Sequence, residues 1–118
     1  MSLVHFVSAY VECAFWSNTD SDDRPLNDTH DICNVAPEAM ESIRTDCKDF
    51  YDAHCNLWRS VHMDDEQAGH DFWLTRNAHG TGFWDRDIGD VGDKLTAVCK
   101  LYGTSDLYIG DDNLIYVA

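Results

Sequence analysis

The sequence predicts an α+β fold that is mostly helical, with about four helices and a C-terminal β-hairpin, in a single domain covering residues 1–118. Apolar residues recur at intervals of three and four over several stretches, which is the period of an amphipathic helix. Residues that favour helix starts and ends flank these stretches. The end of the chain instead carries two short β-rich runs around the acidic turn at 110–113, which is typical of a hairpin.

The first helix is predicted over residues 3–16. Apolar residues at positions 3, 6, 7, 10, 11 and 14 follow the helical period, and His5, Ser8 and Glu12 lie on the opposing side. A strand is the competing interpretation, because many of the apolar residues here are β-branched or aromatic.

A long acidic loop is predicted for residues 17–34, which are rich in Ser, Asn and Asp. Loops of this length are uncommon in compact domains, and they are usually functional or mobile. The aspartates at 20–23 are a conceivable site for calcium or magnesium, but the segment lacks the glycine and the distal glutamate of an EF-hand loop. A solvated loop is therefore the favoured interpretation. Only Arg24 opposes its five aspartates, which are Asp20, Asp22, Asp23, Asp28 and Asp31.

The second helix is predicted over residues 37–62. Pro37 suits the first helical position, and Glu38 suits the positive end of the helix dipole. His54 lies on the apolar stripe of this helix, so a core histidine is favoured over a ligand or base. The outer face carries carboxylates, among them Glu41, Asp46, Asp49 and Asp52.

A third helix is predicted over residues 66–77, capped by Asp64 or Asp65, and it leads into an unusual stretch at 69–86 that reads GHDFWLTRNAHGTGFWDR. We expect the helix to end near His79, with Gly80 in the left-handed conformation. The stretch contains two Phe-Trp pairs, which would supply much core area. A fourth helix is predicted to start within 90–93 and to end at Gly103.

Five polar side chains of this stretch are catalytic candidates: His79, Asp85, Arg76, Asp71 and His70. A histidine base, an orienting carboxylate and an arginine that binds an anion form a common catalytic arrangement. The same residues also suit a structural turn, in which Arg76 pairs with Asp85 or Asp71 and His79 donates to backbone carbonyls. The two Phe-Trp pairs would then pack the third helix against the fourth. The sequence leaves both interpretations open.

Charge and cysteine content limit the function classes. Twenty-two acidic residues against eight basic ones give a formal net charge of -14, which argues against direct binding of nucleic acid or anionic lipid. The five cysteines include no CxxC pair, and a zinc site built from Cys47, Cys55 and His54 lacks the usual paired spacing. We predict no metal and no cofactor. The N-terminus lacks a basic signal-peptide region, so we expect a cytoplasmic protein.

Several motifs of the chain are similar to a family of small uncharacterised bacteriophage proteins. The similar segments read SAYVECAFW, AGHDFWLTRNAHGTGFWDRD, GDKLT and DLYIGDDNLIY. The chain departs from the expected family pattern at Ala78, where glycine is expected before the histidine. The resemblance implies a phage or prophage gene expressed in the bacterial cytoplasm, and the family carries no established activity.

The predicted function is binding, and inhibition, of a host protein with a basic surface, such as one that handles nucleic acid or acts in defence. Carboxylates on a rigid helix can imitate the phosphates of a DNA duplex. The alternative is a small enzyme or metal-binding protein with its site around His79, Asp85 and Arg76. The candidate binding residues are the acidic side chains of the second helix and the preceding loop: Glu38, Glu41, Asp46, Asp49, Asp52, Asp20, Asp22 and Asp23.

Overall fold

The computed structural model describes residues 2–20 and 22–118. Within these residues, four α-helices precede an antiparallel two-stranded hairpin, which confirms the predicted α+β fold. The helices and strands, in chain order, are α1 (Ser2–Ser17), α2 (Pro37–Ser60), α3 (Asp65–Arg76), α4 (Asp90–Lys100), β1 (Leu107–Ile109) and β2 (Ile115–Val117). Three short 3-10 helices lie in the connections: Leu26–Asp28, Ile32–Asn34 and Phe83–Asp85.

The helix boundaries confirm most of the predictions and correct two of them. The first segment is helical, so the competing strand interpretation was wrong. Asp64 is the N-cap of α3, because its carboxylate accepts a hydrogen bond from the amide of Gln67 at 2.7 Å. The left-handed residue after α3 is Ala78, with φ 55°, rather than the predicted Gly80. Because α3 already ends at Arg76, the left-handed turn comes two residues before the predicted position at Gly80.

An aromatic cluster forms the centre of the core. Phe50 of α2 and Phe72 of α3 stack with their ring centroids 4.1 Å apart, and Phe6 of α1 stacks on Trp58 of α2 at 5.5 Å. These four side chains and Phe83 are 0% exposed. The cluster joins three helices and the turn before α4, so residues far apart in the chain share one core.

Helices α1 and α3 approach each other closely at Gly69. A Cβ atom at this position would lie 2.3 Å from the carbonyl oxygen of Phe6. Only glycine therefore allows this packing, although it lowers the intrinsic stability of the helix.

The hairpin packs against the start of α2. Its strands pair in the register Leu107↔Val117, Tyr108↔Tyr116 and Ile109↔Ile115. Ile115 is fully buried, and its carbonyl accepts a hydrogen bond from the amide of Ala36 at 2.9 Å. The acidic turn between the strands is thereby fixed near the N-terminus of α2.

In the described part of the chain, we find no helix with the length and apolarity needed to cross a bilayer. The cysteines are free thiols, of which Cys13, Cys47 and Cys99 are buried, as expected for small hydrophobic residues. Cys33 departs from that expectation, since it is exposed in the acidic loop.

Candidate functional site

Asp71 is buried and fully bonded. Its carboxylate, 0% exposed, accepts hydrogen bonds from Arg86 Nε at 3.0 Å and Arg86 Nη2 at 2.7 Å. Gln67 donates a third bond, from Nε2 at 3.1 Å. The hydrogen bond to Asp71 raises the pKa of Arg86, so the guanidinium stays charged. Asp71 therefore joins α3 to the turn after it and has no free oxygen to offer as a general base.

Arg76 is a buried cross-link between three parts of the fold. Its Nη1 donates to the hydroxyl of Tyr10 at 3.1 Å and to the carboxylate of Asp46 at 3.0 Å. Its Nε and Nη2 donate to the carbonyls of Gly103 and Tyr102, each at 3.0 Å. Burial acts to lower the pKa of Arg76, but Tyr10 and Asp46 outweigh it and the net shift is upward. The predicted pairing of Arg76 with Asp85 or Asp71 was wrong, because its carboxylate partner is Asp46.

No other catalytic candidate is bonded to Asp71 or Arg76 in the described chain, although His79 lines the same surface cleft as Arg76. His79 is exposed and makes no side-chain hydrogen bond within the described residues, so the expected donation to backbone carbonyls was wrong. Asp85 is exposed and accepts a hydrogen bond from Thr81 at 2.9 Å. His70 is half-buried, with no side-chain hydrogen bond to the rest of the described chain.

None of the three metal alternatives of the sequence finds support in the described residues. No group of three or more His, Cys, Asp or Glu side chains there is placed to hold a metal ion. His54 is half-buried and packs against the ring of Phe50 at 5.2 Å. Its pKa is lowered, chiefly because burial disfavours the charged imidazolium.

The two Phe-Trp pairs have different environments, so the prediction that both pack α3 against α4 was wrong. Phe72 lies in the aromatic core, and Trp73 contacts Tyr10 of α1 edge-on at 5.4 Å. Trp73 Nε1 also donates to Ser17 Oγ at 2.7 Å, which fixes it on α1. Trp84 is 51% exposed, whereas Phe83 beside it is buried.

Most carboxylates face solvent. All twenty-two acidic residues lie in the described part of the chain, and all are exposed except Asp20, Asp46, Asp65 and Asp71. Five of the eight cationic residues are engaged with carboxylates of this chain: Arg24, Lys48, Arg59, Arg76 and Arg86. The negative charge of the surface is therefore largely uncompensated.

The predicted binding residues of α2 differ in availability. Glu38 and Glu41 are exposed and form no ion pair in the described part of the chain. Asp49 is exposed and accepts a hydrogen bond from the Tyr102 hydroxyl. The other two are partnered by cations of this chain: Asp46 by Arg76 and Asp52 by Lys48.

The predicted binding residues of the loop are bonded locally. Asp20 accepts hydrogen bonds from the amides of Asp22 at 2.8 Å and Arg24 at 3.1 Å. The amide of Arg24 is the main cause of the lowered pKa of Asp20. Asp22 lies 3.5 Å from the guanidinium of Arg24, and Asp23 is exposed. These aspartates thus shape their own loop, in addition to contributing charge.

Two contacts between distant segments gather acidic residues in one region of the surface. His30, which is 8% exposed, places Nε2 3.2 Å from the backbone and side-chain oxygens of Asn113 in the hairpin turn. The bond between Ala36 and Ile115 holds the same turn beside the start of α2. We call this region the acidic end and define it by five exposed carboxylates that form no ion pair with any residue of 2–20 or 22–118: Asp28, Asp31, Glu38, Asp111 and Asp112.

Electrostatic coupling within the acidic end is visible at Tyr116. Its hydroxyl donates to Asp112 at 2.6 Å, and this bond is the main cause of its pKa being raised to about 12, with Glu38 also contributing. The same bond lowers the pKa of Asp112, so this carboxylate remains ionised into acidic pH. Asp111 and Asp112 were missed as site residues, because an acidic turn in a hairpin is indistinguishable in sequence from ordinary turn chemistry.

No family model matches the chain, and neither the curated proteins nor the solved structures contain a significantly similar one. The arrangement of its own residues is therefore the basis for a functional proposal.

Proposed function

We propose that the protein binds a partner protein with a basic surface, and that the acidic end is the centre of the binding surface. Following the resemblance to bacteriophage proteins, the partner is a host protein in the bacterial cytoplasm that handles nucleic acid or acts in defence, and binding inhibits it. The observation that carries the proposal is the convergence of loop, helix and hairpin carboxylates, none of which pairs with a cation among the described residues.

The cost of removing a charge from water distinguishes the carboxylates of the acidic end, which can bind a partner, from the buried ones, which stabilise the fold. Each carboxylate that is buried or half-buried in this protein is hydrogen-bonded, and all four of them, Asp20, Asp46, Asp65 and Asp71, pair with an arginine. The carboxylates of the acidic end contribute little to stability as surface charges, and they repel one another. Such a concentration of like charge favours association with a basic surface and accelerates the encounter.

The carboxylates of α2 extend the proposed binding surface along that helix. Glu38 and Asp52 are fourteen residues apart in one helix, which corresponds to about 21 Å at 1.5 Å per residue. One strand of a DNA duplex carries roughly six phosphates over that length. Glu41 and Asp49 lie between the two, so a groove that binds a DNA backbone would meet carboxylates along a comparable distance.

The test compares two variants with the same net charge. The first removes three charges from the acidic end (Glu38→Gln, Asp111→Asn, Asp112→Asn). The control removes three exposed charges elsewhere (Glu66→Gln, Asp87→Asn, Asp106→Asn). Each protein is immobilised and exposed to bacterial lysate proteins that were first selected on a duplex-DNA column.

We expect the unsubstituted protein and the control to retain the same host protein at low salt and to release it as salt rises, because exposed charge pairs are screened. The acidic-end variant should retain at least about tenfold less. Equal loss in both variants would show that only total charge matters, and equal retention in both would exclude the acidic end as the binding surface.

A further inference from the structure

A cleft elsewhere on the surface differs from the acidic end because no acidic side chain lines it. It has a volume of about 530 Å³ and lies between the turn after α3 and the second half of α4. His79, Trp84, Thr96 and Lys100 line it, and the buried Arg76 contributes to its wall. Its lining contains no Asp or Glu, although twenty-two of the 118 residues are acidic.

Two side chains of the cleft, Lys100 and His79, have no hydrogen-bond or ion-pair partner among the described residues. Lys100 is exposed and forms no ion pair with any described residue. The imidazole of His79 is also exposed and unbonded within the described chain. The position of Lys100 in the last turn of α4 suits the negative end of the helix dipole, but it leaves the ammonium group available to a ligand.

Trp84 is presented to the cleft by a rigid turn. Phe83 is buried in the aromatic core, and its amide donates to Thr75 Oγ1 at 3.1 Å. A Cβ atom at Gly82 would lie 2.2 Å from that oxygen and 3.4 Å from Trp84 Nε1, so only glycine permits this close approach. The indole remains 51% exposed on this fixed backbone. An aromatic side chain held in this way loses little conformational freedom when a flat ring stacks on it.

We propose that this cleft binds a small ligand that combines a planar ring with an anionic group, of the size of a nucleoside monophosphate. The ring stacks on Trp84, and Lys100 with His79 binds the anion. The volume falls within the range of small-molecule sites. The net charge of -14 opposes anions at long range, but salt at physiological strength screens charges beyond about 8 Å, so the adjacent ammonium group of Lys100 has the larger effect. The site is independent of partner binding at the acidic end.

The experiment is an NMR titration of the ¹⁵N-labelled protein at roughly physiological salt. The probes are adenosine 5′-monophosphate, adenosine and ribose 5-phosphate, which present ring and anion together and then each alone. We expect the monophosphate to shift the indole N–H of Trp84 and the amides of Ala78, His79 and Thr96. Each half-ligand should bind about tenfold more weakly or worse, since it lacks one of the two contacts.

Two variants assign the contacts, and each has a matched control. Trp84→Ala should abolish binding, whereas Trp16→Ala, at another exposed tryptophan (66% exposed), should leave it unchanged. Lys100→Gln should weaken the monophosphate about tenfold and leave adenosine unaffected, whereas Lys94→Gln, at an exposed and unpaired lysine of the same helix, should change neither. The altered side chains are exposed, so the variants should keep the parent spectrum elsewhere.

The absence of shifts at Trp84 with millimolar monophosphate would overturn the proposal. Equal affinity for adenosine and the monophosphate would overturn it too, because the cations would then have no part in binding. Neither result affects the proposal for the acidic end, which contains none of these residues.

Discussion

Carboxylates have opposite roles in the 69–86 stretch and at the acidic end. In the stretch, Asp71 is 0% exposed and accepts hydrogen bonds from Nε and Nη2 of Arg86 and from Gln67. At the acidic end, Asp111 and Asp112 are exposed and have no cationic partner in the described chain. The difference follows from desolvation, because a buried charge requires a partner and an exposed one does not. Asp71, which looked catalytic in sequence, is thus part of the framework, as is Arg76, whereas Asp111 and Asp112, which looked like ordinary turn chemistry, are exposed.

The largest expected effect comes from breaking the buried ion pair on the arginine side. Arg86→Met leaves the fully buried carboxylate of Asp71 with only Gln67, and we expect it to lower the free energy of unfolding by about 3–5 kcal/mol. Asp71→Asn should cost less, because the Arg86 side chain is 31% exposed and can be hydrated. Urea denaturation of the two variants measures the difference. An Asp71→Asn variant that is less stable than Arg86→Met would contradict this assignment.

The two Phe-Trp pairs give the next contrast. Trp73→Ala removes a side chain that is 1% exposed and leaves a cavity between α1 and α3, so a loss of about 3–5 kcal/mol is expected. Trp84→Ala removes a half-exposed side chain and should cost less than about 1 kcal/mol. Thermal unfolding of both variants tests this ranking. Equal destabilisation by the two substitutions would contradict the prediction, because it would mean that Trp84 contributes as much to the core as Trp73.

A smaller, stabilising effect is expected at Ala78. This residue has φ 55°, a conformation that costs an L-residue about 1–2 kcal/mol relative to glycine. Ala78→Gly relieves that strain but increases the entropy of the unfolded chain, so we expect a net stabilisation of about 0.5–1 kcal/mol. Gly80 provides the control, since it does not have a positive φ and Gly80→Ala should not be strained. Destabilisation by Ala78→Gly would show that the turn is not strained at that residue.

The smallest effect on stability is expected at the acidic end itself. Removing the charges of Glu38, Asp111 and Asp112 eliminates no ion pair among the described residues and reduces mutual repulsion, and the only bonds it weakens there are exposed ones to Asp112, chiefly from Tyr116. The free energy of unfolding should stay within about 0.5 kcal/mol of the parent value. A loss of more than about 2 kcal/mol in urea denaturation would show that these carboxylates serve the fold, in the manner of Asp71.

The sequence was sufficient for features that depend on neighbouring residues. The helical period located all four helices, Asp64 was one of two expected caps for α3, and the alternation around the acidic turn located the hairpin. These features are fixed by interactions within one turn of helix or one hairpin, so they are visible in short windows of sequence.

Pairings between distant segments could not be predicted in this way. Arg76 pairs with Asp46, thirty residues away, rather than with a nearer aspartate, because helix packing brings α2 against the end of α3. The contact between His30 and Asn113 spans eighty-three residues, and it decides which acids share a surface. Trp73 and Trp84 have the same local pattern but opposite exposure, since burial depends on which helix covers each side chain.

We propose that the acidic end binds the basic surface of a host protein, at the place where that host protein binds a nucleic-acid backbone in the absence of this protein. The most direct measurement is competition: duplex DNA is added to the immobilised protein carrying its retained host protein, at constant salt. The account predicts that increasing DNA releases the host protein, and that the acidic-end variant requires less DNA than the equally charged control. Retention that is unaffected by saturating DNA would contradict the claim.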